Sequence, residues 1–273
     1  MAMTPPIVVL GMHRSGTTML ARWLMRAGVW MGRSRDPNEE AHWILRWNER
    51  LLAMAGARWD APEPWLRLLE DEPLRARLQA WLSEAWWGDH GHARGYLGRW
   101  GWLAWRGFGW WPARWGFKDP RLTLTWPVWH ALFSDARIVH VVRHGVDVAA
   151  SLVRREQKLR VQTLAEFPRR GPWRVQSPRC WKLEDAFALW EAYLATLERW
   201  RNQSEQEQWL TLRYEDILLA PEKARKALGD FLGVADPPAL EVRREHAFAY
   251  RKDPELRRFA ERIRSPMLER WYG

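Results

Sequence analysis

The sequence predicts a three-layer α/β/α protein, in which helices cover both faces of a central parallel sheet. Residues 7–11 (IVVLG) have the apolar, β-branched character of a short buried strand and precede a helix expected over 17–27. Residues 137–143 (RIVHVVR) form a second such strand, followed by a helix expected over 146–158. Buried strands that alternate with helices are typical of a parallel sheet.

The other predicted elements continue this alternation. A helix is expected over 36–55, with Asp36 as N-cap, Pro37 at the first helical position and Glu39 as the carboxylate of a capping box. The remaining predictions are a helix over 64–87 with a break near Pro73, a strand edge and turn over 115–120, a loop over 171–178, a helix over 183–201, a strand over 209–213 and a helix over 221–232 that ends at Gly233.

The composition is that of one large soluble domain over residues 1–273. The chain is 47% hydrophobic, and no stretch of 18 or more uncharged apolar residues predicts a membrane span. Residues 1–6 lack the basic segment of a secretory signal. The single cysteine, Cys180, excludes an internal disulfide and favours a reducing, cytoplasmic location.

The net charge of +10 predicts attraction to anions. Nucleic acid, a multiply phosphorylated nucleotide and a polyanionic acceptor all fit this charge, which alone does not separate them. Residues 88–115 contain many of the 23 tryptophans and alternate Gly, Trp and Arg without a clean period. We expect an irregular insertion or lid there, with Trp-rich core helices as the alternative.

Residues 11–18 (GMHRSGTT) join the first strand to the first helix and form a candidate phosphate-binding loop. Such a loop turns backbone N–H groups toward an anion at the helix N-terminus, where the helix dipole also favours negative charge. The loop differs from the nucleoside-triphosphatase motif G-x-x-x-x-G-K-[ST], because Thr17 follows the second glycine and the basic residue is Arg14. The strand over 137–143 ends in Arg143 rather than in an acidic Mg²⁺ ligand. These differences favour a metal-free phosphosulfate donor over ATP–Mg²⁺.

The loop resembles the 5′-phosphosulfate loop of sulfotransferases that use 3′-phosphoadenosine-5′-phosphosulfate (PAPS), with Arg14 where many members carry lysine. Residues 137–152 (RIVHVVRHGVDVAASL) resemble the 3′-phosphate segment of that family, in which a strand ends in Arg and a helix carries Ser eight residues later. Here these residues are Arg143 and Ser151. An arginine at a strand end can form paired hydrogen bonds to a phosphate, and a serine two helical turns later returns to the same side.

Further matches extend the resemblance over most of the chain: residues 38–59 (the acidic helix of bacterial members), 117–121 (FKDPR), 212–216 (LRYED) and 231–233 (FLG). Two positions depart from the cytosolic steroid and phenol sulfotransferases. Met19 stands where those enzymes carry a Trp that stacks on adenine, and the turn at 118–120 reads Lys-Asp-Pro instead of Lys-Thr-His. The acceptor classes of those enzymes are therefore not implied.

The resemblance implies PAPS as co-substrate, adenosine 3′,5′-bisphosphate (PAP) as product and no required metal. Arg14 and Lys118 are predicted to stabilise the leaving phosphate; the alternative for Lys118 is an ion pair with Asp119 or a surface carboxylate. The nucleotide-binding residues are predicted to be His13, Arg14, Ser15, Gly16, Thr17, Thr18, Arg143, Ser151 and Tyr214.

Glu40 is predicted to be the general base. The turn at 118–120 contains no histidine, and in the predicted helix Glu40 lies at the edge of the apolar stripe while Glu39 lies opposite it. The run 40–43 (EAHW) also resembles the Glu-x-His-aromatic run of sulfotransferases that use Glu as base. The alternatives are a structural role for Glu40 and a base at His13 or His42.

The acceptor is expected to be a small molecule, carbohydrate or peptide, selected by residues 88–115 and 159–180. The sequence does not indicate the oligomeric state, and we expect no nucleic-acid partner. The competing functions are a P-loop nucleotide kinase or NTPase, a nucleic-acid-binding protein and a non-catalytic nucleotide-binding protein with this fold.

Overall fold

The computed structural model describes residues 3–87, 93–170, 177–202 and 208–273, without the side chains of 167–170. Within these ranges the centre of the molecule is a four-stranded parallel sheet in the order β2-β1-β3-β4. The strands are β1 (Ile7–Leu10), β2 (Gly116–Lys118), β3 (Arg137–Val142) and β4 (Trp209–Arg213). The predicted α/β fold with a parallel sheet is confirmed.

Alternate side chains of the strands enter two separate hydrophobic cores. Val8 and Leu10 of β1 belong to one core, whereas Val9 belongs to the other. In β3, Ile138 lies in the first core and Val139 in the second. Because successive residues of a strand point to opposite faces, this division shows that both faces of the sheet are covered.

The helices pack around this sheet, and several predicted bounds agree with the structure. The predicted helices over 183–201 and 221–232 are observed with those bounds, and Gly233 ends the latter in the left-handed conformation. No helix in the described part of the chain combines the length and apolar character needed to span a membrane. The helices are α1 (Thr17–Arg26), α2 (His42–Met54), α3 (Glu63–Leu68), α4 (Glu72–Trp87), α5 (Ala93–Phe108), α6 (Leu122–His130), α7 (Gly145–Arg170), α8 (Leu183–Arg201), α9 (Tyr214–Leu219), α10 (Pro221–Leu232), α11 (Pro254–Arg262) and α12 (Pro266–Tyr272).

The predicted helix over 36–55 is wrong at its start, because α2 begins at His42. The Asp36 carboxylate instead closes a turn by accepting hydrogen bonds from the amides of Asn38 and Glu40. Glu39 has a positive φ of 61° and ion-pairs with arginines, so it is not part of a capping box. Local side-chain hydrogen bonds of Asp compete with helix formation, which explains the late start. The turn, rather than a helix face, therefore orients Glu40.

The predicted irregular segment at 88–115 is also wrong over 93–108, where α5 forms with a kink at Gly98. Tyr96 of α5 is buried, and its hydroxyl oxygen lies within hydrogen-bond distance of two carbonyl oxygens, 2.7 Å from that of Gly116 and 2.9 Å from that of Trp30. A helix forms here, as in the alternative interpretation, but its buried aromatic residue is Tyr96, and Trp102 and Trp105 pack against the core only partly buried. Packing of these side chains outweighs the low helix propensity of the glycines. Residues 88–92, and 171–176 of the predicted loop, lie outside the described residues.

A buried histidine in β3 makes stability depend on pH. His140 is buried, and neither ring nitrogen has a hydrogen-bond partner among the described residues. Burial, followed by the charge of Arg201, lowers the pKa of His140 from 6.5 to about 3. Below pH 6.5 the unfolded chain binds a proton that the folded chain does not, so stability is lost as pH falls from 6.5 toward 3.

We expect His140→Leu to reduce the loss of unfolding free energy between pH 7 and pH 5 by about 1–2 kcal/mol, measured by urea unfolding at both pH values. If wild type and variant lose the same free energy over this interval, His140 is not the source of the acid sensitivity.

Candidate active site

An open cleft of about 1070 Å³ lies at the carboxyl ends of the strands. Ser15, a residue of the loop at 11–18, is buried and does not line the cleft. Ser151 also lies behind the lining and reaches it through Arg14. The predicted site residues that line the cleft are His13, Arg14, Gly16, Thr17, Thr18, Glu40, Lys118, Arg143 and Tyr214.

The candidate phosphate loop depends on Gly16. Gly16 has a φ of 98°, and a Cβ atom there would overlap the ring of Tyr214, so only glycine fits. The amides of Thr17 and Thr18 at the start of α1 donate to no acceptor within the described residues. Free amides at a helix start form an anion site. The loop thus has free amides and a backbone shape that are suited to an anion.

The loop at 11–18 and the segment from Arg143 to Ser151 contact each other through Arg143 and Arg14. Arg143 Nη1 donates to the carbonyl oxygen of Arg14 at 3.2 Å, and its guanidinium lies 4.7 Å from the centre of the Tyr214 ring. Arg143 Nε is buried and has no partner among the described residues. Arg14 Nε donates to Ser151 Oγ at 2.9 Å. The cluster of Arg14, Arg143 and Ser151 therefore contains a buried donor that has no partner among the described residues.

Positive charge accumulates at this cluster. Burial, then the charges of Arg155 and Arg143, lower the pKa of Arg14. Asp147 lies 3.8 Å from Arg143 Nη2, but its carboxylate also accepts hydrogen bonds from two backbone amides of the C-terminal region. An anionic ligand would relieve the remaining repulsion between the arginines.

Lys118 and Glu40, both predicted to be catalytic, form a buried ion pair. Lys118 Nζ lies 3.0 Å from Glu40 Oε1 and 3.0 Å from the carbonyl oxygen of Asn38. The partner of Lys118 is thus neither Asp119 nor a surface carboxylate. Burial, then the charge of Asp119, raise the pKa of Glu40, while Lys118 and Arg121 oppose this effect.

Arg121 is a site residue that our sequence reasoning missed. Its Nη1 lies 3.2 Å from Glu40 Oε2 and 3.0 Å from Asp119 Oδ1, so one guanidinium holds both carboxylates. Asn48 donates to the other oxygen of Asp119 at 2.8 Å. The sequence contains a signal for both Arg121 and Asn48. Arg121 directly follows the Lys-Asp-Pro turn, and Asn48 interrupts the apolar stripe of α2.

The two histidines proposed as alternative bases differ in position. His42 is exposed, and its Nδ1 lies 2.8 Å from Ser34 Oγ. His13 is buried, packs 4.6 Å from the Trp59 ring and lines the cleft. Burial and the surrounding cations, Arg121 foremost, lower the pKa of His13 well below its usual range, so its ring is neutral. His13 therefore remains the second candidate base.

Further cations line the cleft at positions that we had not singled out. Arg155 of α7 lies one turn after Ser151, pairs with Glu156 at 2.7 Å and lies 4.9 Å from the centre of the Trp59 ring. Its spacing from Ser151 was the signal that identifies it. Arg243 and His246 also line the cleft, and no motif marked this segment.

Comparison with known proteins supports the same family over most of the chain. Residues 5–238 match the sequence model described as the Sulfotransferase family, whereas a search of curated proteins finds no match. Among solved structures, a sulfotransferase from Alicyclobacillus acidocaldarius has a TM-score of 0.52 at 16% identity, covering 95% of this chain and 90% of that chain, and shows the fold. A sulfotransferase domain from the curacin biosynthetic pathway has a TM-score of 0.49 at 22% identity, covering 97% of this chain and 93% of that chain. A sulfotransferase domain from the Synechococcus PCC 7002 olefin synthase has a TM-score of 0.49 at 20% identity, covering 97% of this chain and 90% of that chain.

The family match includes the phosphate loop, the Lys118 turn and the segment from Arg143 to Ser151. Because it spans most of the chain, the chain belongs to the sulfotransferase family and is a transferase enzyme.

Proposed function

We propose that this sulfotransferase moves the sulfuryl group of PAPS to a hydroxyl or amine of a small-molecule, carbohydrate or peptide acceptor, releases PAP and works in the cytoplasm. The observation that carries the choice of donor is the free Arg143 Nε beside the phosphate loop. PAPS has a 5′-phosphosulfate and a 3′-phosphate, and the cleft presents a separate candidate group for each.

The residues present fit this donor. The free amides of Thr17 and Thr18 suit the 5′-phosphate, and Arg143 with Ser151 suits the 3′-phosphate. Tyr214 packs on both Gly16 and Arg143 and so fixes the distance between the two anion sites. The sequence predicts Arg14 at the leaving phosphate, but its hydrogen bond to Ser151 favours a place beside the 3′-phosphate.

Lys118 and Glu40 supply the chemistry in this proposal. Bound PAPS supplies an electrophilic sulfuryl group attached to a leaving phosphate. The Lys118 ammonium has three donors, of which two are taken by Glu40 Oε1 and the carbonyl oxygen of Asn38, and the third is left for the leaving oxygen. Glu40 accepts the proton of the acceptor hydroxyl or amine.

These two steps are coupled by the ion pair. When Glu40 takes up a proton it becomes neutral, and Lys118 then turns its charge toward the leaving phosphate. Arg121 holds the second oxygen of Glu40 and keeps the carboxyl group in place. Since a sulfuryl group carries less charge than a phosphoryl group, Lys118 and the loop amides suffice without a metal ion.

The donor is tested by thermal shift. We expect PAP to raise the melting temperature more than AMP or ATP–Mg²⁺ does, because PAP alone presents phosphates to both the loop and Arg143. A hundredfold excess over Kd stabilises the folded state by about 2.7 kcal/mol. Equal shifts with PAP and AMP would contradict the role of Arg143. In a separate activity assay, we expect EDTA to leave PAPS-dependent transfer intact.

A further inference from the structure

The outward face of α5 exposes large apolar side chains that contribute little to the core. Trp100 is 75% exposed, Leu103 43% and Phe108 78%, and Trp110, which follows the end of the helix, is 45% exposed. We call these four residues the α5 patch. Soluble proteins seldom expose several large apolar residues together without a partner for them.

The patch is continuous on one side of the helix. At about 100° per residue, Trp100, Leu103 and Gly107 point outward, opposite the core-packed Trp102 and Trp105. The chain then folds back after Phe108, and Trp110 N donates to the carbonyl oxygen of Ala104. A Cβ atom on Gly101 would lie 3.4 Å from the Trp110 ring, which places this ring beside the helix next to Trp100.

Arginines lie along one edge of the α5 patch. Arg99 and Arg106 are exposed, and the Arg99 guanidinium lies 5.5 Å from the centre of the Trp100 ring. Residues 93–115 contain four arginines and no acidic residue. An apolar helix face bordered by arginines, with Trp at the boundary, is the pattern of helices that lie in the interface of an anionic bilayer.

We propose that the α5 patch docks this protein on the surface of an anionic lipid bilayer. Trp100, Leu103 and Phe108 enter the boundary between headgroups and acyl chains, and Arg99 and Arg106 pair with lipid phosphates. A second copy of the chain fits less well, because a two-fold interface would oppose the same arginines. Nucleic acid fits less well too, because the face is a convex helix with a central leucine rather than a cationic groove.

The test is co-sedimentation with vesicles at physiological salt. We expect wild type to bind vesicles that contain phosphatidylglycerol and to bind pure phosphatidylcholine vesicles much more weakly. The triple variant Trp100→Ser/Leu103→Ser/Phe108→Ser should lose about tenfold or more in partition coefficient, since the inserted apolar area is removed. Arg99→Gln/Arg106→Gln should lose binding specifically to the anionic vesicles.

The matched control is Met54→Ser/Leu74→Ser/Leu219→Ser, which removes three large exposed side chains elsewhere and should bind like wild type. Circular dichroism melting establishes that each variant is folded. Binding by the triple variant equal to wild type would overturn the proposal, because the net charge of +10 would then suffice. A wild-type dimer that the triple variant loses, without vesicle binding, would assign the patch to a second copy and also overturn it.

Discussion

Glu40→Gln is expected to lower the turnover number by about a hundredfold or more, the usual scale for loss of a general base. The amide keeps the shape of the side chain and an oxygen for Lys118 or Arg121, but it cannot accept the proton. PAP binding should change little, because the arginine cluster that we assign to the 3′-phosphate lacks Glu40. Turnover and PAP affinity are measured on the same preparation, together with the melting temperature.

Glu39→Gln is the matched control on the same turn. Glu39 ion-pairs with Arg22 and Arg35 at the edge of the cleft, so we expect a small loss of stability and nearly normal turnover. Nearly normal turnover in Glu40→Gln would instead direct the search for a base to His13.

The pH profile gives an independent check on Glu40. Only the deprotonated carboxylate acts as a base, and its pKa is raised above the usual glutamate value by burial and by Asp119. The acid limb of kcat/KM should therefore lie at higher pH than for an ordinary glutamate, with activity lost as pH falls through it.

Arg143→Ala is expected to weaken PAP binding by about tenfold to a hundredfold, because a buried charged donor to a phosphate is removed. AMP binding should change much less, since AMP lacks the 3′-phosphate. Isothermal titration of both nucleotides measures the difference, and Ser151→Ala should have a smaller effect of the same kind.

Arg137→Ala is the control for Arg143→Ala. Arg137 begins β3 at the opposite end of the strand and donates to the carbonyl oxygen of Phe231. Its removal should leave the affinities for PAP and AMP unchanged. An equal loss of PAP and AMP affinity in Arg143→Ala would mean that this residue supports the loop as a whole and does not bind the 3′-phosphate.

The sheet and the phosphate loop could be predicted because short-range patterns determine them. The strand at 7–10 is a run of buried β-branched and apolar residues, and Gly16 is required by its own backbone angle and by the Tyr214 ring. The start of α2 could not be predicted, because Asp36 forms hydrogen bonds within a turn that compete with helix N-capping. The helix at 93–108 was expected only as the alternative to an irregular segment, because its glycines and tryptophans have low helix propensity, and tertiary packing of Tyr96 decides the outcome.

The candidate site followed from the sequence only in part. Motifs identify groups at the ends of strands, such as Arg143, because the fold brings those ends together. The pairing of Lys118 with Glu40 joins residues 78 positions apart, and no local pattern indicates it. Arg155 and Arg243 enter the cleft from elements that face it only in the folded protein.

A crystal structure of the complex with PAP tests the central proposal most directly. We expect the 5′-phosphate on the amides of Thr17 and Thr18, and the 3′-phosphate within hydrogen-bond distance of Arg143 Nε and Ser151 Oγ. Lys118 Nζ should lie beside the 5′-phosphate, on the side that faces Glu40. A 3′-phosphate directed to solvent, with Arg143 Nε still unpartnered, would contradict the proposal.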